Sequence, residues 1–217
     1  MTPGGALAAA LGGFYRQSWR FFVLNAALSA LVLPIVLAGL WAPTAWLLLA
    51  AAGPLAAALM HCAVIDAVTG ELRLADALAG LRLHWRRGLL LGTVLALGAL
   101  AAVQAIAFYA SRGVLVLAVV GAYLAAMFAI FQLVLWPLAV FEFELPIRQV
   151  AADALRSLLR RPLQAFVLGV ALLAVNLAGL AAAVVPFLTL TIAYSFLAAA
   201  HFALPPTTLE GHDRWRR

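Results

Sequence analysis

Apolar runs long enough to cross a membrane alternate with short polar segments along this chain. A membrane-spanning helix needs about 20 apolar residues, because each residue adds about 1.5 Å along the axis. Six stretches meet this requirement, at residues 21–40, 44–68, 88–110, 114–141, 162–183 and 186–204. The last two form one run, which we divide at Pro186 because proline suits the first turn of a helix. The pattern predicts an all-α, polytopic membrane protein with six transmembrane helices.

The polar segments have a helical periodicity of their own. Residues 146–161 place apolar side chains on one face of a helix and arginines on the other. A helix of this kind lies in the membrane surface or against a helix bundle. Residues 72–86 put leucines and Trp85 on one face with His84 roughly opposite, and residues 5–19 show a weaker version. We therefore expect three cytoplasmic interfacial amphipathic helices beside the six spans.

Composition agrees with a membrane protein and excludes a soluble one. The chain has 217 residues, of which 67% are hydrophobic and 10% charged, with a mean hydropathy of +1.09. A soluble domain is about 45–50% apolar and about 25% charged, because its outer face must meet water. The single cysteine, Cys62, excludes an intrachain disulfide and a cysteine-rich metal site. The absence of lysine and the abundance of alanine are typical of a GC-rich bacterial genome.

The charge of the chain lies in arginines that flank the apolar runs. The formal net charge is +6, and all 14 basic residues are arginine. Thirteen fall on one side of the predicted spans and Arg112 alone on the other, a placement typical of membrane proteins rather than of nucleic-acid-binding proteins. The positive-inside rule assigns the arginine-rich side to the cytoplasm of a bacterial cell. Both termini are then cytoplasmic, and the first apolar stretch is too long for a signal peptide and is expected to be retained.

An arginine signature recurs before each of three pairs of predicted spans. It reads Arg16-x-x-Trp19-Arg20, then Arg82-x-x-Trp85-Arg86-Arg87, then Arg156-x-x-Leu159-Arg160-Arg161. The recurrence predicts three repeated units, each an interfacial helix followed by a transmembrane hairpin. The signatures also form a candidate rim that docks a protein partner or the anionic lipid of the inner leaflet. Its members are Arg16, Trp19, Arg20, Arg82, Trp85, Arg86, Arg87, Arg156, Arg160 and Arg161. Topology and lipid anchoring alone are the simpler interpretation.

Neutral polar residues within the spans are the candidates for an intramembrane path. They are Asn25, His61, Gln104, Gln132, Asn176 and His201. Each can line a path for a solute, or can hydrogen-bond between helices for about 0.6–2 kcal/mol. No charged residue is predicted deep in a span, because Asp66 is placed at the inner end of the second span. This absence argues against an ion-coupled pump.

The sequence contains no convincing signal for metal binding or catalysis. The residues of metal-ligating type near the inner end lack a recognised spacing: His61, Cys62, Asp66 and His201. Glu142 and Glu144 are interpreted as solvated carboxylates that pair with nearby arginines, rather than as an acid–base pair. No nucleophile motif, phosphate-binding loop or nucleotide motif is present. We therefore expect no catalytic residue, no cofactor and no bound metal.

Three stretches in a fixed order carry a resemblance to a known family. The first is Arg20-Phe-Phe-Val-Leu-Asn25 through Leu33-Pro34, followed by Gly53-Pro54 to Leu59. The second is Asp76 through His84-Trp-Arg-Arg-Gly88, and the third is Trp136-Pro-Leu-Ala-Val-Phe-Glu142, followed by Ala151 through Pro162. Together they resemble the YesL-like family of bacterial membrane proteins, a domain of unknown function, over about residues 14–200. That family tends to sit beside genes for carbohydrate uptake and breakdown. The resemblance implies a non-enzymatic accessory or regulatory partner of a carbohydrate ABC transporter, and a transporter or channel for a small solute is the alternative.

Overall fold

The computed structural model describes residues 1–182 and 190–204, and this part of the chain is helical without a β-strand. The helices are α1 (Pro3–Arg16), α2 (Ser18–Trp41), a 3-10 helix (Pro43–Leu48) that leads into α3 (Leu49–Thr69), α4 (Leu74–Ser111), α5 (Leu115–Phe141), α6 (Ile147–Arg160), α7 (Pro162–Ala182) and α8 (Ile192–Ala203). The prediction of an all-α fold is confirmed for the described residues.

Five of the helical segments are long and apolar enough to cross a membrane, which makes this a multi-pass membrane protein. They are Ser18–Trp41, Pro43–Thr69, Leu74–Ser111, Leu115–Phe141 and Pro162–Gly179. The sixth predicted span, 186–204, starts outside the described residues, and its described helix α8 has 12 residues. The six-span arrangement in three hairpins therefore stays a prediction. The arginines at positions 214, 216 and 217 also lie outside the described residues.

The second predicted interfacial helix is not a separate element. Residues 74–111 form one helix of 38 residues, α4, which unites the interfacial segment 72–86 with the span 88–110. The helix starts where the Asp76 carboxylate accepts a hydrogen bond from the Arg73 backbone N–H at 2.7 Å. No proline interrupts it, and its glycine at position 88 is needed for a close helix contact. The predicted boundary between an interfacial helix at 72–86 and a span at 88–110 is therefore wrong, because the helix continues through it.

Helices α3 and α4 cross at very short range through glycines. A Cβ atom on Gly53 would lie 2.1 Å from the carbonyl oxygen of Gly88, and one on Gly92 would lie 2.8 Å from the Cα atom of Gly53. Small residues at the contact let two membrane helices approach closely and gain dispersion energy. The face of α4 that carries His84 therefore packs against α3, whereas Leu78 and Trp85 on the opposite face are exposed.

Two regions of the molecule differ in packing. The packed bundle consists of α1, residues 52–66 of α3, residues 77–92 of α4, residues 130–140 of α5, α6 and α8, and it holds most of the buried residues. The exposed hairpin consists of residues 97–111 of α4 and 115–126 of α5. Ala118 is the one fully buried residue of this hairpin. All the rim arginines belong to, or border, the packed bundle.

Candidate functional site

Asp66, in the last turns of α3, is a buried carboxylate in the packed bundle. Its side chain is 2% exposed, and neither carboxylate oxygen has a hydrogen-bond partner in the described structure. The carboxylate lies against Gly13 of α1, where a Cβ atom would come within 2.2 Å of Oδ2. The Arg16 guanidinium, one turn further along α1, is close enough to interact electrostatically with Asp66 and with His201 of α8. Asp66 lies near the end of α3, where the sequence placed it, and its burial against α1 is a finding of the structure.

Two histidines meet where α3 and α4 pack together. The Nε2 atom of His84 lies 3.2 Å from Nδ1 of His61, and His84 is 1% exposed. Gly80 leaves room for the His61 ring, since a Cβ atom there would lie 2.7 Å from Cδ2 of the ring. The ring of Phe143 contacts His84 edge-on at 5.8 Å between centroids. A hydrogen bond between the rings needs one donor and one acceptor nitrogen, so at least one ring is neutral there.

The histidine pair is better explained as helix packing than as a metal site. Within residues 1–182 and 190–204, no group of three or more histidine, cysteine or acidic residues is arranged to hold a metal ion. His61 was a candidate from the sequence, whereas His84 was missed. Its signal was the spacing of Gly80, His84 and Gly88, which repeats every four residues along one face of α4.

Arg87 caps the end of α5 and joins it to α4. Its guanidinium donates to the carbonyl oxygens of Ala139 at 2.7 Å and Glu142 at 3.0 Å, and also to that of Leu145. The last carbonyls of a helix have no partner within it, so a guanidinium that reaches several of them stabilises the helix end. Arg87 therefore has an internal structural role and offers less to a docking rim than the sequence analysis expected.

Glu142 does not follow the prediction of a solvated carboxylate paired with arginine. It is half-buried, and its Oε2 atom has no hydrogen-bond partner in the described structure. Burial, with the nearby Asp153 carboxylate, raises the pKa of the Glu142 side chain above its usual value. The contact between Arg87 and Glu142 instead uses the main-chain carbonyl.

The remaining rim residues lie at the surface, and several of them contact one another. The Arg20 guanidinium bonds to Gln17 and lies over the Trp19 ring, and that of Arg86 lies 5.1 Å from the ring centroid of Trp85. Indoles at this position anchor a helix in the membrane interface. Arg156 pairs with Asp153 at 2.6 Å. The other rim arginines, Arg16, Arg82, Arg160 and Arg161, are exposed.

The neutral polar candidates are mostly packed between helices, and one of them lies on the exposed hairpin. Asn25 of α2 and Gln132 of α5 are buried, and the Asn176 amide of α7 donates to the Ser195 hydroxyl of α8 at 2.8 Å. Gln104 is the exception, because it is exposed on α4 within the exposed hairpin. The structure does not bring these candidates into one line.

Three cavities at the surface of the described residues do not reach most of the buried polar groups. Two follow α6, and the third is an apolar groove of about 460 Å³ between α5 and α7 that reaches Asn176 and Ser195. None of the three is lined by Asp66, His61 or Gln132. These groups are packed among helices instead, which favours a role in helix association.

Comparison with models of protein families, with curated proteins and with solved structures finds no match to this chain. The resemblance to the YesL-like family therefore depends on the three sequence stretches alone, and it stays a prediction together with the carbohydrate-transport role that it implies.

Proposed function

We propose that this chain is a non-enzymatic membrane protein that acts by associating with another membrane protein, and that the exposed hairpin makes the contact. The observation that carries the proposal is Gln104, a polar side chain on the lipid-facing side of that hairpin. The packing of the buried polar groups supports it, because a protein of this kind needs no solute path. The resemblance names a carbohydrate ABC transporter as the partner class.

The contacts of α4 fix the direction in which Gln104 points. Gly98 and Ile106 face α5, where they meet Phe128 and Gly121. Helical spacing puts Gln104 on the opposite side of α4, together with the exposed Leu97 and Phe108. The Gln104 amide has no hydrogen-bond partner in the part of the chain that the structure describes.

An amide in this position favours a protein partner over lipid. Gln104 is seven residues from the end of α4 at Ser111, which corresponds to about 10 Å of helix. Lipid tails offer no hydrogen bond, so burying the amide among them costs free energy. A polar side chain on a neighbouring transmembrane helix would satisfy the amide and add about 1 kcal/mol to the association.

The test compares Gln104→Leu with Thr93→Val on the same helix. Thr93 is also exposed, but its hydroxyl already bonds to the Leu89 carbonyl at 2.8 Å. We expect Gln104→Leu to lower the co-purification yield of the partner about five-fold, the equivalent of about 1 kcal/mol, with Thr93→Val unchanged. The measurement is quantitative mass spectrometry of proteins retained in mild detergent, normalised to inserted protein. Equal yields for wild type and Gln104→Leu would contradict docking through this residue.

The identity of the retained protein tests the partner class separately. Permease or ATPase subunits of a sugar ABC transporter would support the role that the resemblance implies. A different membrane protein that is lost in Gln104→Leu would keep the docking proposal and remove the carbohydrate assignment.

Asp66 favours a second candidate function, transport of a small solute linked to protons. An unpartnered carboxylate buried in a membrane protein is a functional-site candidate because its ionisation is costly. The test is proton flux into proteoliposomes under a pH gradient, followed with an entrapped pH-sensitive dye. Flux in the wild type that Asp66→Asn abolishes would support transport, and the absence of flux in both proteins would remove it.

The orientation with both termini in the cytoplasm is part of the proposal, and the distribution of arginines supports it. Reporter fusions after Trp41 and Arg112 should report the outside, and a fusion after Arg156 should report the cytoplasm. A cytoplasmic signal at Arg112 would contradict the proposed orientation.

A further inference from the structure

The ends of α6 and α8, together with Met1, border an open cavity of about 440 Å³ at the surface of the packed bundle. One wall is basic and comes from the last turns of α6, with Arg156, Ser157, Arg160 and Arg161. The facing wall comes from the end of α8, with Phe202 and Leu204, and is apolar. The cavity therefore presents guanidinium and hydroxyl donors opposite a hydrocarbon surface.

The charges in this cavity are not balanced within the described structure. The cavity is lined by three arginines and by one carboxylate, that of Asp153. Asp153 already pairs with Arg156. Arg160 and Arg161 are exposed and form no ion pair with any described residue. Arg87, by comparison, is already committed to backbone carbonyls.

Guanidinium groups arranged around a cavity recognise phosphate, because their planar N–H donors match its oxygens. The apolar wall and the position of α6 between two candidate membrane spans indicate a ligand that is both charged and apolar. We infer that the α6–α8 cavity binds the phosphate headgroup of an anionic phospholipid, with Arg160 and Arg161 as its principal donors. This inference does not depend on the proposed docking of the exposed hairpin.

The experiment measures lipid binding to the purified full-length protein by native mass spectrometry. The probes are phosphatidylglycerol, which is anionic, and phosphatidylcholine, which has the same phosphate but no net charge. The test variant is Arg160→Gln/Arg161→Gln, and the matched control is Arg82→Gln/Arg86→Gln, which removes the same charge elsewhere on the rim. Ser157→Asp, which adds a negative charge inside the cavity, is a second test variant.

We expect one phosphatidylglycerol to remain bound to the wild type more tightly than phosphatidylcholine. Two arginines near an anionic headgroup contribute about 30-fold in affinity, so the Arg160/Arg161 double variant should bind about 30-fold more weakly. Ser157→Asp should also bind more weakly, and the Arg82/Arg86 control should bind as the wild type does. Cys62 is buried, so its lack of reaction with a maleimide dye verifies that each variant is folded.

Three results would overturn the inference. Equal binding of the two lipids would show that no anionic headgroup is recognised. An equal loss in the Arg82/Arg86 control would reduce the effect to the total charge of the rim. Displacement of the bound phosphatidylglycerol by millimolar inorganic phosphate would assign the cavity to a soluble phosphate instead.

Discussion

The packed bundle and the exposed hairpin share the helices α4 and α5 and contain the same kinds of residue, but they pack differently. Residues 134–140 of α5 are all buried, whereas Leu115, Val116 and Val119 of the same helix are exposed. Hydrophobicity does not separate them, because lipid is as apolar as a leucine side chain. Close packing of small residues and satisfaction of polar groups decide which surface is buried.

Helix α4 shows this rule along its own length. The half that packs on α3 presents Gly80, His84, Gly88 and Gly92 to its neighbour, whereas Leu83, Leu89 and Leu90 are exposed. In the exposed hairpin the glycines meet side chains instead of backbone: a Cβ atom on Gly98 would lie 2.5 Å from the Phe128 ring, and one on Gly121 of α5 would lie 3.3 Å from the Ile106 side chain. Substitutions should therefore have large effects in the first half and small effects in the second.

The largest expected difference is between Gly53→Ala and Gly121→Ala. A Cβ atom on Gly53 would meet backbone atoms of α4 that cannot move alone, so we expect a loss of about 3 kcal/mol or failure to fold. A Cβ atom on Gly121 would lie 3.3 Å from the flexible Ile106 side chain, so its cost should stay below about 1 kcal/mol.

Thermal unfolding in detergent measures this difference through the reaction of Cys62 with a thiol-reactive dye. Cys62 is the single cysteine of the chain and is buried, so it reacts when the packed bundle opens. Equal melting temperatures for the two glycine variants would show that the two regions do not differ in packing.

A smaller effect is expected for Arg87→Gln compared with Arg82→Gln. The first change removes charge-assisted hydrogen bonds to the end of α5, and should cost about 2 kcal/mol. The second removes an exposed arginine and should leave the same melting transition within about 0.5 kcal/mol. If both variants melt at the same temperature, the hydrogen bonds of Arg87 to the end of α5 do not contribute to stability, and Arg87 becomes available as a member of the docking rim.

The smallest effect is expected for Val134→Ala compared with Val119→Ala. Val134 is 1% exposed in the packed bundle, and Val119 is 68% exposed on the hairpin. The loss at Val134 comes mainly from dispersion contacts, since lipid provides no further hydrophobic gain, and should be about 1 kcal/mol. Val119→Ala should leave the melting temperature unchanged in detergent. A larger loss at Val119 would mean that a second chain covers the hairpin in the purified protein.

The sequence was sufficient for the fold class and for most of the spans, because a run of about 20 apolar residues has few alternatives. It was insufficient for α4, since nothing between Trp85 and Gly88 distinguishes a helix boundary from a continuous helix. The burial of Asp66 could not be predicted for a different reason. It depends on Gly13 of α1, which is distant in sequence.

The sequence identified which residues belong to the candidate site, but it did not predict what each of them contacts. The sequence identified Arg87 as one of a group of equivalent arginines, and only the carbonyls of α5 distinguish it from Arg82. Gln104 and Gln132 also look alike along the chain, although one lies on the surface and the other in the packed bundle. These differences arise from packing between helices, which local patterns do not encode.

The continuity of α4 links the exposed hairpin mechanically to the packed bundle. Its 38 residues make a rod of about 55 Å, and the crossing with α3 at Gly88 and Gly92 is a pivot with arms of about 20 Å and 30 Å. A tilt of about 5° about that crossing would shift Ser111 by about 3 Å and Leu74, at the other end, by about 2 Å in the opposite direction. A protein that displaces the exposed hairpin would therefore also act on the contacts of Gly80 and His84 with α3, because one helix carries both.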